Sequence, residues 1–273
     1  YDFFINIVCR FDGLDFLKKM KGKTIMFIGD SVSANNWQSL LCLLHQAVGP
    51  RSNITSFTKD PLSSVTFQEY GVTIQVFTTH YLVDIENEKN GRVLKLDSLK
   101  NGAIWKQADV LIFNTWLWWY RRGPKQPWDY IQSDGKIVND MDRMAAFRIG
   151  LTTWAKWVST YVNPIKTKVF FQGISPFHYH GVEWNEPGAT NCGAETTPFN
   201  GSTYPGEEPL ALKVLKEVLF SGAKSVKLLD ITFLSQLRKN GHPSKYNKFG
   251  MDCTHWCVSG VPDTWNTIIY AQL

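Results

Sequence analysis

The sequence predicts an α/β fold of three layers, with a mostly parallel sheet covered by helices on both faces. Three observations predict it. Short apolar runs rich in branched and aromatic residues, the pattern of strands buried on both faces, recur at residues 24–28 (TIMFI), 108–113 (ADVLIF), 168–174 (KVFFQGI) and 225–230 (SVKLLD). Stretches with apolar residues at helical spacing alternate with these runs, as a parallel sheet with crossover helices requires. Finally, 273 residues at 31.2 kDa, 44% of them hydrophobic, supply a core for one large domain over residues 1–273, with no internal repeat or linker to divide it.

Taken in order, the strand at 24–28 is broken by Gly29-Asp30-Ser31, and Leu40, Leu41, Leu43 and Leu44 mark a helix that begins soon after. Residues 65–83 alternate and are dense in β-formers, which predicts paired strands turning near Gly71. The polar stretch 86–100 reads as a surface loop. The run at 108–113 ends at Asn114-Thr115, and residues 116–128 (WLWWYRRGPKQPW) follow with no amphipathic period, so they read as a loop on the carboxyl edge of the sheet. Met144, Phe147, Leu151, Trp154 and Trp157 give residues 140–162 helical spacing. After the strand at 168–174 come a long loop (175–204), a helix (209–219), the strand at 225–230, a short helix (231–238) and a terminal helix from about Pro262.

Composition narrows the function. A net charge of +5 with no basic block or nucleic-acid fingerprint argues against a nucleic-acid partner. No stretch is long and apolar enough to span a membrane; residues 1–8 (YDFFINIV) are far too few. Eleven Trp are many for one chain, and some are expected in a groove, where flat aromatic faces suit sugar rings. Sequons at Asn53 and Asn200 suit a secreted or luminal protein. His178 and His180 have no third ligand at a recognisable spacing, so no metal is expected.

Two places carry chemistry. Ser31 sits where a strand ends and a helix begins, which exposes a hydroxyl at the edge where open α/β sheets bind ligands, beside backbone N–H groups able to stabilise an oxyanion. The same position equally suits a helix cap. Near the other end, Asp252 and His255 form a D-x-x-H segment. A serine hydroxyl needs a base, and the base needs a carboxylate to fix its tautomer; taken alone, however, such a segment is common.

Several longer stretches settle the alternatives. They are RFDG (10–13), FIGDSVSANNWQSLLC (27–42), FNTWLWW (113–119), VFFQGISPFH (169–178), NCGAETTP (191–198) and DCTHWCVSGVPDTWN (252–266). With these the chain resembles the plant trichome-birefringence-like family, marked by a GDS motif and a carboxyl-terminal D-x-x-H motif. The resemblance implies an SGNH-hydrolase-like (PC-esterase), flavodoxin-like domain with Ser31, Asp252 and His255 as triad. The oxyanion hole would then be the Ser31 N–H with help from Asn114 or Thr115. It implies a polysaccharide O-acetyltransferase that takes acetyl from a donor co-substrate, with no bound cofactor, working in the Golgi lumen as a type II membrane protein or secreted to the wall. A carbohydrate acetylesterase, with water as acceptor, has the same triad; an inactive wall-polysaccharide binder is the alternative from another class. Ala34 and Asn36 depart from the Arg or Leu and the Gln of many members, and neither is catalytic by chemistry. The family's Cys-rich segment and upstream anchor have no counterpart, and its C-D-L-P-R-F stretch is shortened to Cys9-Arg10-Phe11. The expectation is a catalytic domain without those parts.

Within that resemblance the acceptor and the cysteines take their expected roles. Trp116, Trp118 and Trp119 would form a sugar platform, unless some are core. Arg121, Arg122 and Lys125 suit a polyanion such as galacturonan better than neutral xylan or mannan, and RRGPKQPWDYIQ resembles the pectin-linked, powdery-mildew-resistance branch; an ordinary solvated basic loop is the alternative. Five Cys cannot all pair within the chain. The family's counterpart of Cys42 faces its amino-terminal segment, so Cys42 is expected unpaired, on the apolar face of its helix. Cys253 and Cys257 flank His255 too closely to bridge each other, and the expected pairs are Cys192–Cys253 and Cys9–Cys257.

Overall fold

Along β1 (Thr24–Gly29) successive side chains enter opposite layers of the core, and in the computed structural model, which describes residues 10–273, that alternation organises everything else. Ile25 and Phe27 pack with α1 (Gly13–Lys19), α2 (Ser31–Val48) and α7 (Val261–Gln272) through Phe16, Leu40, Leu44, Trp265 and Ile269. Met26 and Ile28 pack on the other side with α4 (Arg143–Tyr161) and α5 (Leu210–Gly222) through Phe147, Leu151, Trp154 and Leu215. All four β1 side chains are buried, which is why the run shows no polar face in the sequence.

The remaining strands of the main sheet are β2 (Ile54–Lys59), β3 (Leu62–Phe67), β4 (Val72–Thr78), β7 (Val110–Phe113), β10 (Lys168–Gln172) and β11 (Lys227–Leu229). Its order is β11-β10-β7-β1-β4-β3-β2. The five strands from β11 to β4 run parallel, and β3 and β2 add an antiparallel hairpin at the edge. In chain order the parallel strands lie 2-1-3-4-5, the flavodoxin-like doubly wound arrangement, so the α/β expectation holds. The chain leaves β1 first toward β4 and later returns on the other side to β7. The crevice outside the carboxyl ends of β1 and β7 is therefore the topological switch point.

A second sheet departs from expectation. β5 (Asp84–Glu88) and β6 (Gly91–Lys95) occupy the stretch read as a surface loop, and they join β8 (Tyr130–Ser133) and β9 (Lys136–Val138) in the order β5-β6-β8-β9. The polar residues hid a strand because they neutralise one another: Lys95 Nζ lies 2.8 Å from Glu86 and 2.7 Å from Glu88. Val93 and Leu94 of β6 and Ile131 of β8 turn inward, to full burial. The short helices α3 (Gly102–Trp105) and α6 (Thr232–Gln236) complete the set. The tryptophans depart too. Trp105, Trp119, Trp128, Trp154, Trp184, Trp256 and Trp265 are among the largest fully buried side chains, so most of this aromatic excess fills the two layers rather than a groove. No helix among the described residues is long and apolar enough to cross a membrane.

Candidate active site

At the switch point the backbone turns too tightly for any side chain on Gly29. A Cβ there would lie 2.3 Å from the Asn114 carbonyl oxygen and 2.4 Å from Ser33 Oγ. The glycine thus lets the ends of β1 and β7 close against the first turn of α2. Asp30 caps that helix, its Oδ1 accepting the Val32 N–H at 2.9 Å and an Asn114 Nδ2–H at 2.9 Å. Burial pushes the Asp30 carboxyl up to about 6, against those two bonds and the nearby His255. Ser31 is the first residue of α2, at the positive end of an eighteen-residue helix.

The D-x-x-H segment meets it across the crevice. His255 Nε2 lies 2.7 Å from Ser31 Oγ, and His255 Nδ1 lies 2.8 Å from Asp252 Oδ2. The three-residue spacing has a local reason. Asp252 Oδ1 accepts the backbone N–H groups of Thr254 and His255, both at 3.0 Å, so one carboxylate folds the turn and holds the ring it serves. Asn247 Nδ2 donates to Oδ2 as well, at 3.2 Å. Burial alone would raise the Asp252 carboxyl, but the bonds from the His255 ring and backbone and from Thr254 outweigh it and hold it well below the usual carboxylate range. The hydrogen bond to Asp252 raises the His255 imidazole above its ordinary value, against burial and the nearby Arg121. A hydroxyl, an imidazole and a low-pKa carboxylate in this order can deprotonate the hydroxyl and carry the charge that results.

Several contacts hold this loop in place. Asn35 Oδ1, one turn into α2, accepts the Trp256 N–H at 3.1 Å, and Trp256 Nε1 donates to Ser175 Oγ at 2.8 Å. Cys253 is bonded to Cys192 with a Cα–Cα distance of 5.7 Å, the expected bridge, and its carbonyl accepts the His178 N–H at 2.9 Å. The expected Cys9–Cys257 bridge lies outside the described residues through Cys9. Cys42 and Cys257 have no disulfide partner among the described residues. Cys42 is exposed on α2, beside the apolar side chains of Leu41, Ile54, Val65 and Phe67.

The other expected residues divide. Asn114 stands beside the triad with one amide hydrogen on Asp30. Thr115 is buried and its hydroxyl is committed: it donates to the His80 carbonyl at 2.7 Å and accepts from Trp119 Nε1 at 2.9 Å. The tryptophan platform does not form as expected. Trp119 is 0% exposed and Trp116 5%, both packed on Phe147, because the chain after β7 turns back into the core. Trp118 is half-buried, stacked on His80 at 3.8 Å with the Arg121 guanidinium 5.0 Å from its ring. Arg121 is half-buried and makes no ion pair among the described residues, whereas exposed Arg122 lies 3.7 Å from Asp140 and Lys125 is exposed. A cleft of about 480 Å³, lined by Trp116, Tyr120, Ser175, Phe177, Glu183 and Gln236 among others, meets the His255 loop through Ser175, while Ser31, Asp252 and His255 do not line it. Asn53 and Asn200 are exposed. His180 is exposed, while His178 is buried against His242, and no group of three His, Cys, Asp or Glu is placed to hold a metal among the described residues.

Sequence reasoning missed Asn35, Ser175 and His242. Asn35 was legible in principle as a polar residue on the first turn of a helix whose start was already suspect. His242, alone between Gly241 and Pro243, gave no signal.

The comparisons agree with this geometry. The family model for PC-Esterase, described as the GDSL/SGNH-like acyl-esterase family found in Pmr5 and Cas1p, matches residues 8–272. The chain is 56% identical to protein trichome birefringence-like 41 of Arabidopsis thaliana over 267 residues, which is 96% of this chain and 75% of that protein. It is 52% identical to protein trichome birefringence-like 39 (97% and 72%), and 37% identical to protein trichome birefringence itself (97% and 47%), both of Arabidopsis thaliana.

Proposed function

The chain belongs to the PC-esterase family of GDSL/SGNH-like acyl-esterases, and from that premise we propose that it moves an acetyl group onto a plant cell-wall polysaccharide through an acetyl-Ser31 intermediate. The observation that carries this reading is the unbroken hydrogen-bond chain from Asp252 through His255 to Ser31. Ser31 Oγ attacks the carbonyl carbon of the acetyl donor while His255 Nε2 takes the hydroxyl proton. The Ser31 N–H and the second amide hydrogen of Asn114 face the developing oxyanion; one such donor is worth roughly 3–4 kcal/mol of barrier. Collapse expels the donor's leaving group, which receives the proton from His255. A sugar hydroxyl then gives its proton to His255 and attacks the acetyl carbon, and Ser31 leaves with that proton. The reaction needs only the acetyl donor as co-substrate, and the described layers act as one catalytic unit.

The acceptor we favour is a galacturonan, ahead of xylan or mannan. Arg121 supports it: an unpaired, half-buried guanidinium felt electrostatically by His255 suits a sugar carboxylate close to the hydroxyl that reacts. Arg122, Lys125 and the exposed part of Trp118 would extend contact along the polymer. A location in the Golgi lumen or the wall goes with this reading. The exposed sequons at Asn53 and Asn200 and the Cys192–Cys253 bridge, which suits an oxidising compartment, support it.

The description of the matching family as acyl-esterases favours a second reading, with water as acceptor and the same first half-reaction. Intact-mass measurement after mixing with a soluble acetyl ester tests the shared step: one added acetyl group on the native chain and none on Ser31→Ala is expected, and equal labelling of both would end the proposal. Analysis of acetylated oligogalacturonate against free acetate then separates the two readings.

A further inference from the structure

Behind His255 lies a chain of contacts in which both ends are peptide carbonyls. His178 Nε2 is 3.0 Å from the Gln236 carbonyl oxygen, His178 Nδ1 is 2.7 Å from His242 Nε2, and His242 Nδ1 is 2.7 Å from the His255 carbonyl oxygen. A carbonyl only accepts, so His178 Nε2 and His242 Nδ1 must each carry a hydrogen. The two remaining nitrogens face each other, and a hydrogen bond between them needs one hydrogen more. The three contacts thus require three protons on four ring nitrogens, one beyond what two neutral imidazoles hold.

We propose that His178 and His242 share one extra proton at neutral pH, and that this singly charged pair positions His255 by holding its carbonyl. The role in catalysis rests on the reading of His255 as the base. Burial pushes each imidazole toward its neutral form, His178 down to about 4 and His242 down to about 3. Against that, a neutral pair leaves one short contact between two lone pairs in a dry interior, where an unmade bond costs most, and the third proton converts it to a charge-assisted one. The pair therefore titrates as a unit. The charges that face it are few. Lys239 opposes the extra proton but is itself ion-paired with Glu186 and Glu195; Asp252 favours it; His255 opposes it when protonated. The other walls are rings, with Trp256 stacked on His242 at 4.1 Å and Trp184 edge-on to His178 at 5.4 Å.

Residue 255 is consequently fixed from both sides, its N–H and ring by Asp252 and its carbonyl by His242. The buried charge also makes protonation of His255 harder, which keeps the base available.

The first test needs no turnover. In the native chain labelled with nitrogen-15 histidine at pH 7, long-range proton–nitrogen spectra should show three protonated ring nitrogens in this pair and one proton coupled to a nitrogen of each ring. Two protonated nitrogens and no shared proton would overturn the proposal, whatever becomes of Ser31. The second test is His178→Gln, whose amide can donate to His242 Nε2 and leave that ring neutral. With the positive charge gone, the acid limb of kcat/KM should move to higher pH; an unmoved limb in the folded variant would refute the positioning role. His242→Ala, where it folds, should lose about a hundredfold in kcat with KM little changed, the scale of an ångström's misplacement of a reacting group.

Discussion

Asn35 Oδ1 accepts the backbone N–H of Trp256 at 3.1 Å, which joins the helix turn that carries Ser31 to the loop that carries His255. The 2.7 Å contact between Ser31 and His255 is thus one side of a closed ring whose opposite side is this bond. Asn35→Ala removes the acceptor and leaves a partly buried N–H unpaired. We expect kcat to fall about tenfold to a hundredfold with KM nearly constant, and stability to drop by about 1–3 kcal/mol. Asn35→Asp keeps an acceptor at the same place and should recover most of the rate. Single-turnover kinetics on the two variants check this; equal rates for both would show that the loop is held without Asn35.

Groups that act as a unit fail as a unit. Ser31→Ala and His255→Ala should each abolish acetyl turnover, and the double variant should be hardly worse than either. Asp252→Asn should lower kcat on the order of 10⁴-fold, the cost of presenting the wrong tautomer to the nucleophile. Turnover of a soluble ester by purified Ser31→Ala within tenfold of the native rate would contradict the mechanism.

The pH profile follows from the directions of two shifts. His255 must be neutral to act as base, and its pKa is raised above the ordinary value of about 6.5. The acid limb of kcat/KM should therefore lie above that value. In Asp252→Asn the residual activity should have its limb moved down, because the carboxylate that raises His255 is gone. Stability runs the other way for His255: its contribution is complete below the unfolded value and lost as pH rises through the folded one. Asp252, held low, stabilises above its unfolded value of about 3.9 and loses that contribution as pH falls. Melting temperature against pH for the native chain and Asp252→Asn measures both.

The parallel strands other than β4 were legible because burial on both faces forces continuous apolar runs, whereas Ser31, Asp252 and His255 became legible only through the longer stretches that carry the family resemblance, since each motif alone is ambiguous. The second sheet was not. Its strands carry Lys95, Glu86 and Glu88, which satisfy one another, so the polarity that marks a loop also served a strand. Nor did sequence separate the roles of Trp116, Trp118 and Trp119. Adjacent residues in a 3₁₀ turn face different ways, and only the packing against Phe147 and His80 distinguishes them. His242 lies thirteen residues before the His255 carbonyl it meets, with no periodicity to announce it.

Charge placement sets the expected acceptor preference. Arg121→Glu should weaken binding of galacturonate oligomers at least tenfold more than that of neutral xylan oligomers, and Arg122→Glu less so, since Arg122 already faces Asp140. Added salt should erode the Arg122 effect most, because screening acts over about 8–10 Å on exposed charges and less on partly buried ones. Titration calorimetry on both oligomer series measures this, and equal losses for the two polymers would remove the case for galacturonan.

The Cys192–Cys253 bridge closes a separation of 61 residues and ends two positions from His255. In the chain-entropy picture it stabilises by roughly 4 kcal/mol. Its nearer effect is on the loop, so mild reduction should lower activity before the fold melts, and Cys192→Ala should show the same order of events. Activity and far-ultraviolet circular dichroism followed together across a dithiothreitol series check this; simultaneous loss would assign the bridge to global stability alone.

β6 and β8 pair side by side although β7, a strand of the other sheet, lies between them in the chain. Everything from Asn114 to Asp129 is therefore an excursion pinned at both feet, one in each sheet. Trp119 and Trp128 sink into the core like two pegs, and the short span 120–127 between them is tied down at the surface by Tyr120 against Trp116, Arg122 beside Asp140 and Gln126 accepting from Arg143. None of the hydrogen bonds that join Ser31, Asp252 and His255 comes from that span, and Arg121 reaches them through its charge. On the proposed reading, the span that would meet the polymer can therefore change in sequence while the strand ends and helix turn that hold Ser31 stay as they are.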